Sequence, residues 1–257
     1  MMEKIKMCIS IIIPNYNCEK WIDKLLNSII NQTYNNYEVI IVDDMSNDNS
    51  VDIIKKYCKN YKQFRLIENK SKRLSGGTRN VGITESTGDY IMCIDSDDWL
   101  KDDNVLQDIV NKLNGEDIMF LGYEMYGGDN ATCILNIHNK DEAIKCGMGA
   151  NWLKVVKREL YLDHLLPEGT LYEDRFNHLE LCIYSNTFTS LGRATHIWNR
   201  TNENCTTLSN KWCWYRFEYC GELYKLIQRV HDADIRDMLI KELVMYMNSC
   251  VEMVNEL

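Results

Sequence analysis

DYIMCIDSDDWL, residues 89–100, drives an apolar run, Ile91 to Ile94, straight into Asp95, Asp97 and Asp98. Tyr90 to Ile94 has the length and apolar content of a buried strand. Three carboxylates at its end repel one another, and each costs free energy when it is taken out of water. Two unit charges about 4 Å apart interact by roughly 4 kcal/mol at an effective dielectric of 20. Such a cluster either lies in solvent on a turn, capping a helix from Lys101 onward, or it holds a cation. An Asp-x-Asp at a strand end offers oxygen ligands to Mg2+ or Mn2+ and leaves positions open for a diphosphate.

The same pattern recurs upstream. Cys8 to Ile13 is a continuous, largely β-branched run, as expected of a strand covered on both faces. Asn17 can cap a helix whose apolar face is Trp21, Ile22, Leu25, Leu26, Ile29 and Ile30. Tyr37 to Val42 reads as a second strand and ends at Asp43-Asp44. Val51 to Cys58 reads as helix, Phe64 to Ile67 as a third strand, and Ser75 to Ser86 as a helix with a glycine-rich entry. This alternation predicts an α/β fold, a mostly parallel central sheet with flanking helices. Ligands on such sheets bind beyond the carboxyl ends of the strands. Polar or acidic clusters stand there at three strand ends: Pro14-Asn15-Tyr16-Asn17, Asp43-Asp44 and Asp95-Ser96-Asp97-Asp98. Their coincidence carries more information than any one cluster.

The second half is less regular. Ile118 to Tyr123 predicts another strand, Gly127-Gly128 a turn and Leu171 to Tyr184 a helix. Two short strands follow, Thr187 to Leu191 and Ala194 to Asn199. From Trp212 two helices are expected, broken near His231-Asp232. Their stripes, Leu223, Leu226, Ile227 and Val230, then Leu239, Leu243, Met247 and Val251, fit core or partner-helix contacts.

Composition narrows the function. The chain has 257 residues, 45% hydrophobic, with a net charge of −9. That balance argues against a protein that coats nucleic acid, which wants a basic face. None of the 11 cysteines forms a Cys-x-x-Cys pair or has zinc-finger spacing, so reduced thiols in a cytoplasmic protein are expected. The start, MMEKIKMCISIIIPNYN, reads as a strand rather than a signal peptide. No run is long enough to span a membrane. The mixed charges from Trp212 onward favour peripheral membrane contact only weakly. There is no G-x-G-x-x-G after the first strand and no G-x-x-x-x-G-K-[ST], which disfavours dinucleotide and P-loop readings.

Several residues can serve a nucleotide. Tyr16 can stack on a base or pack on Trp21. Asp44 can accept from a base N–H and Asp43 can face a ribose, or either can cap the loop Met45 to Asp48. Gly76-Gly77-Thr78-Arg79-Asn80 opens a helix, where glycine permits close backbone approach and the helix start favours anions. Arg79 can reach base or phosphate from there.

Taken in order, "SIIIPNYN", "LLNSIINQTYNNYEVIIVDDMSNDNS" and "GGTRNVGITESTGDYIMCIDSDDWL" resemble the family 2 glycosyltransferases of the GT-A fold over most of residues 8 to 103. A looser match, "GANWLKVVKRELYLDHLLPEGTLYEDRFN" and "IWNRTNENCTT", resembles the family's acceptor side up to about Thr207. The resemblance implies a Rossmann-like GT-A domain over 1–207, with a nucleotide-sugar half (1–103) and an acceptor half (104–207). It leaves 208–257 as a C-terminal helical extension, free to pack on the domain, form a homodimer or rest on a membrane surface. It implies an inverting transferase that uses Mn2+ or Mg2+ and a nucleotide-diphosphate sugar, a UDP-sugar first, with a hydroxyl acceptor, a glycan first. By position, Pro14 and Tyr16 line the nucleotide pocket, with Asp44 at the base, Asp43 beside it and Arg79 on base or phosphate. Asp95 and Ser96 lie near the ribose, and Asp97 ligates the metal with Asp98. "LYEDRF" places the catalytic base at Asp174, with Glu173 beside it. Trp152 and Gly147-Met148-Gly149 are expected to face the acceptor. An acceptor hydroxyl is a poor nucleophile, so a carboxylate must take its proton as it attacks, while the metal stabilises the departing diphosphate.

Two positions depart from the family pattern. Asn202 stands where members carry a metal-holding His, which makes His196 a candidate substitute, and Thr78 stands where Ala is usual. The first departure keeps a second reading open: a catalytically weak nucleotide- or glycan-binding module, or a partner subunit of an active transferase. A nucleotidyltransferase ranks last, because its glycine-rich, lysine-bearing loop is missing.

Overall fold

The computed structural model describes residues 7–127, 131–170, 173–202 and 212–255. The basic N-terminal residues, Gly128, the first two residues of the expected 171–184 helix and the expected boundary at 207 lie outside the described residues.

Alternation along the strands builds two cores. In β1 (Ile9–Asn15), Ile9, Ile11 and Ile13 point to one face and Ile12 to the other. β2 (Tyr37–Asp43) splits likewise, Val39 and Ile41 against Ile40 and Val42. β3 (Phe64–Glu68) and β4 (Tyr90–Cys93) complete a parallel set. One face is covered by α1 (Ile22–Ile30), α2 (Ser50–Asn60) and α4 (Val105–Lys112), through Leu25, Leu26, Ile54, Leu106 and Ile109. The other receives α3 (Leu74–Thr84) and α7 (Glu173–Tyr184), through Ile83, Phe176 and Leu179. Each fully buried Ile or Leu contributes roughly 1.5–3 kcal/mol. The unbroken apolar run of β1 is therefore the signature of a strand buried on both sides.

The sheet runs β3-β2-β1-β4-β8-β6-β9-β5, with β7 on β6. Here β5 is Trp99–Leu100, β6 Ile118–Tyr126, β7 Thr132–Cys133, β8 Lys154–Lys157 and β9 Phe188–Asn199. β8 is antiparallel to both its neighbours, β4 and β6, and β6 pairs β9 in parallel. The sheet is thus mostly parallel, as expected. The remaining helices are α5 (Lys140–Lys145) and α6 (Arg158–Asp163), then α8 (Trp212–Arg229) and α9 (Ala233–Asn255).

Three local expectations change, and one open alternative is decided. Asn17 does not cap α1: it sits at φ 49°, and the Cys18 carbonyl takes the Trp21 and Ile22 N–H groups instead. After Asp98 the chain enters β5, not a helix from Lys101. The two expected strands of 187–199 are one, β9, because Gly192 at φ 79° lets it bend without breaking. The C-terminal helices pack on the domain: Leu223, Leu226, Ile227, Val230 and Leu239 join the same core as α7, whereas Met247 and Val251 are exposed. No helix among the described residues is long and apolar enough to cross a membrane.

α3 approaches β1 so closely that a Cβ on Gly82 would lie 2.5 Å from Ile12 Cγ2. Gly82→Val should therefore overpack the interface and cost about 2–3 kcal/mol in urea denaturation.

Candidate active site

The carboxyl ends of β1, β2 and β4 lie side by side, as the parallel register requires. Asp43 ends β2 and is 3% exposed. Its carboxylate accepts from the Asn15 amide at 2.7 Å and from the Ser46 backbone N–H at 2.9 Å. Asp44, equally buried, accepts from Asn69 Nδ2 and Arg73 N, both at 2.9 Å, and from Leu74 N at 3.1 Å. It thereby ties the β3–α3 loop to the first residue of α3. Both aspartates, expected against base and ribose, are in this structure spent on shaping the loops around that space. Tyr16 is exposed, and Lys72 Nζ sits 2.8 Å from its ring centroid rather than Trp21 packing there. Pro14 is half-buried beside it. Thr78 is buried, and its hydroxyl receives Asn69 Nδ2 at 3.4 Å.

Arg79 is not open to a ligand. It is 2% exposed. Nη2 binds Asp95 Oδ1 at 2.6 Å, and Nη1 lies 3.1 Å from Glu173 Oε1 and 3.6 Å from Asp174 Oδ1. Burial opposes its charge, but the three carboxylates outweigh that and hold the guanidinium protonated. Of the glycines before it, Gly76 serves the same contact, while Gly77 lies against Arg73 and Glu168. A Cβ on Gly76 would meet the Pro167 carbonyl at 2.6 Å and Glu173 Cγ at 3.1 Å, so the close approach they allow is to protein.

The β4 end is a tight turn, with Asp98 N donating to the Asp95 carbonyl at 3.1 Å around the buried Ser96. Asp97 is half-buried and accepts Asn202 Nδ2 at 2.8 Å. Burial, then Asp95, raises its pKa against the pull of that amide. Asp98 is 1% exposed. Its Oδ1 accepts the Asn199 backbone N–H at 2.8 Å, which pins the end of β9. Its buried Oδ2 has no hydrogen-bond partner. Burial and its two acidic neighbours push its pKa well up. A carboxyl held this way lacks a proton or a cation, and the hard oxygen set of the turn fits Mg2+ or Mn2+. Among the described residues no group of three or more His, Cys, Asp or Glu is placed to hold a metal ion by itself. A cation here would take one or two carboxylates and complete its shell from substrate phosphates.

His196 does not join this cluster. Its imidazole is fully buried, 2.7 Å from the Thr195 hydroxyl and packed on Trp152 at 5.8 Å between ring centroids. It precedes Asn199 on β9 by about 10 Å at roughly 3.3 Å per residue. Burial lowers its pKa to about 3, so it stays neutral. Trp152 is likewise core, 5% exposed and edge-on to Tyr123, rather than an acceptor contact.

Glu173 and Asp174 open α7. Glu173 is buried on Arg79, and burial followed by Asp174 raises its pKa to about 7. Asp174 keeps 39% of its side-chain surface open and accepts a hydrogen bond from Asn151 Nδ2. Asn151 Oδ1 in turn receives Tyr161 OH at 3.0 Å. Asn151 and Asn199 escape the sequence reading, since a buried asparagine at an element end carries no signal beyond its polarity. A cavity of about 240 Å³ opens beside Asp97's partner, between Asn17–Trp21, Asn47-Asp48 and Thr201-Asn202. One guanidinium thus joins the acidic turn of β4 to a half-open carboxylate on α7.

Comparison with known proteins bears on the family and the fold. The model of glycosyl transferase family 2 matches residues 10–223. Glycosyltransferase GlyA of Streptococcus pneumoniae is 28% identical over 226 residues, 79% of this chain and 32% of its own length. The chain thus spans about a third of that relative. Among solved structures, S. aureus TarS 1-349 in complex with UDP-GlcNAc superposes with a TM-score of 0.78 at 20% identity, over 95% of this chain and 73% of that one. The mannosyltransferase PcManGT of Pyrobaculum calidifontis, in complex with GDP-Man and Mn2+, superposes at 0.65 with 13% identity, over 98% and 76%. At these identities the structural likeness establishes the fold, which is GT-A.

Removing Arg79 would leave Glu173 buried and unpaired, while Asp95 and Asp174 partly rehydrate. Arg79→Met should cost about 3 kcal/mol at pH 8, the low end for a broken buried pair. The freed carboxylates gain protons more readily when folded than when unfolded, so the deficit should shrink as pH falls. Urea denaturation at pH 8 and pH 5.5 measures both.

Proposed function

The chain belongs to glycosyl transferase family 2, and from that premise we propose that it moves a sugar from a nucleotide-diphosphate sugar to a hydroxyl acceptor with inversion of configuration. The observation that carries the proposal is the convergence of Asp95, Glu173 and Asp174 on Arg79 at the rim of the sheet. Asp174 is the base. It is half-open, its Oδ1 is held by Asn151, and it stands across Arg79 from the acidic turn. It takes the proton of the acceptor hydroxyl as that oxygen attacks the anomeric carbon. Arg79 keeps Asp174 and Asp95 from repelling one another, and Glu173 shares the guanidinium without facing the acceptor.

Asp97, with Asn202 beside it, would hold Mn2+ or Mg2+ together with the diphosphate; Asp98 supports the turn from below. When bound, the cation stabilises the negative charge of the leaving diphosphate. Tyr16, Pro14 and the Asp44-shaped loop line the nucleotide side. A UDP-sugar is the first donor to test, supported by the UDP-GlcNAc complex of TarS, and the Mn2+ complex of the mannosyltransferase supports a divalent metal. A glycan is the first acceptor class. The amide at Asn202 favours one other reading, a weak binding module, which would bind UDP without turning over any sugar nucleotide.

Hydrolysis of UDP-GlcNAc with Mn2+ separates these readings. Asp97→Asn should abolish Mn2+ stimulation, and Asp174→Asn should lower kcat about a hundredfold or more. UDP binding without hydrolysis across a donor panel would leave only the binding module.

The base works deprotonated, and burial raises the pKa of Asp174 above that of an ordinary aspartate. kcat/KM should accordingly fall on the acid side at a pH above the ordinary aspartate range, and level off at higher pH. Mn2+ must compete with protons for Asp97, whose pKa is raised. Its affinity, read by thermal shift in the presence of UDP, should rise from pH 5.5 to pH 8.

A further inference from the structure

We propose that Glu242, on α9, is a positioning residue for the transfer reaction: through Arg175 it locks the first turn of α7 to the 146–151 loop, and so aims Asp174. The proposal rests on the reading of Asp174 as the base. Glu242 lies in the C-terminal stretch that the matched family segment, residues 10–223, does not reach.

The contacts form an unbroken chain. Arg175 Nε donates to Glu242 Oε1 at 2.9 Å and Arg175 Nη2 to Oε2 at 2.8 Å, a bidentate pair. Tyr219 OH, on α8, donates to the same Oε1 at 2.5 Å. The remaining Arg175 nitrogen, Nη1, donates to the Cys146 carbonyl at 2.7 Å. The loop then lies directly on α7: a Cβ on Gly149 would stand 2.9 Å from Arg175 Cα. Lys154 Nζ holds the Gly149 and Ala150 carbonyls at 2.9 and 2.8 Å, and Asn151 Nδ2 donates to Asp174 Oδ1. Glu242, Arg175, the loop, Asn151 and Asp174 are thus linked in series.

The pair is nearly dry, with side chains 18% and 12% exposed. A two-pronged guanidinium–carboxylate contact in such a place fixes direction as well as distance. Packing alone does not call for it. Leu223, Leu226 and Leu239 already seat α8 and α9 on the core, and burying an ion pair carries a desolvation cost that an apolar pair would avoid. What the pair adds is orientation, one residue away from the base.

The test uses the full chain with Glu242→Ala and the near-isosteric Glu242→Gln, the latter guarding against failure of the former to fold. Hydrogen exchange should speed up about tenfold or more in peptides covering 146–151 and the first turn of α7, with the β1–β4 peptides unchanged. In UDP-GlcNAc hydrolysis kcat should fall about tenfold to a hundredfold, the scale of a misplaced catalytic group, while the Kd for UDP stays within about twofold. Unchanged exchange in both variants overturns the proposal, as does a loss of UDP affinity that matches the loss of kcat. If the wild-type chain turns over no sugar nucleotide, the functional reading fails, and the exchange measurement alone decides whether Glu242 holds the loop.

Discussion

The rim of this sheet depends on one buried cation. Arg79 is 2% exposed and meets Asp95, Glu173 and Asp174, while Asp97 and Asp98 crowd the same turn. One guanidinium cannot neutralise five carboxyl groups. Burial first, and the surplus of acidic neighbours after it, raises the pKa values of Asp97, Asp98, Glu173 and Asp174. A diphosphate approaching that surplus is repelled. The donor and a divalent cation would therefore enter as a unit, each making the site tolerable for the other.

The first half of the fold was legible because strands buried on both faces leave unbroken apolar runs, and because their ends are acidic. Ile9 to Ile13 and Val39 to Val42 alternate between two cores, yet either core alone would have left a polar residue at every second position. The second half hides its order. β8 reads Lys154-Val-Val-Lys157, too short and too charged at its ends to announce a central strand. Lys154 can be buried there only because two carbonyls receive its ammonium, and burial still lowers its pKa to about 8. Periodicity cannot foresee a lysine paired with backbone.

Site residues divided along the same line. Residue type and position at a strand end brought out the acidic turn, whereas the Glu173-Asp174 pair came only from the family resemblance of LYEDRF. Direction was not legible. Asp43, Asp44 and Arg79 each carry the right chemistry for a nucleotide, yet each points into protein. His196 was drawn in by its nearness in sequence to Asn202, but β9 already places it about 10 Å before Asn199, buried beside Trp152. The partners that decide direction, Asn15, Asn69, Asn151 and Asn199, are amides whose role appears only when the chain is folded.

The first turn of α7 shows why those directions matter. Successive residues on a helix project about 100° apart, so Glu173, Asp174 and Arg175 face three different bodies. Glu173 faces Arg79 and through it the sheet, Asp174 faces the Asn151 loop, and Arg175 faces α9 through Glu242. Two acids at the helix start are favoured by its dipole, but the dipole does not aim them. The aim comes from having each neighbour committed elsewhere: a rotation of α7 that freed Asp174 would have to break the Arg79 contact and the Glu242 contact together. Three consecutive side chains thus convert a helix end, ordinarily the part most prone to fray, into a junction among sheet, loop and C-terminal helices.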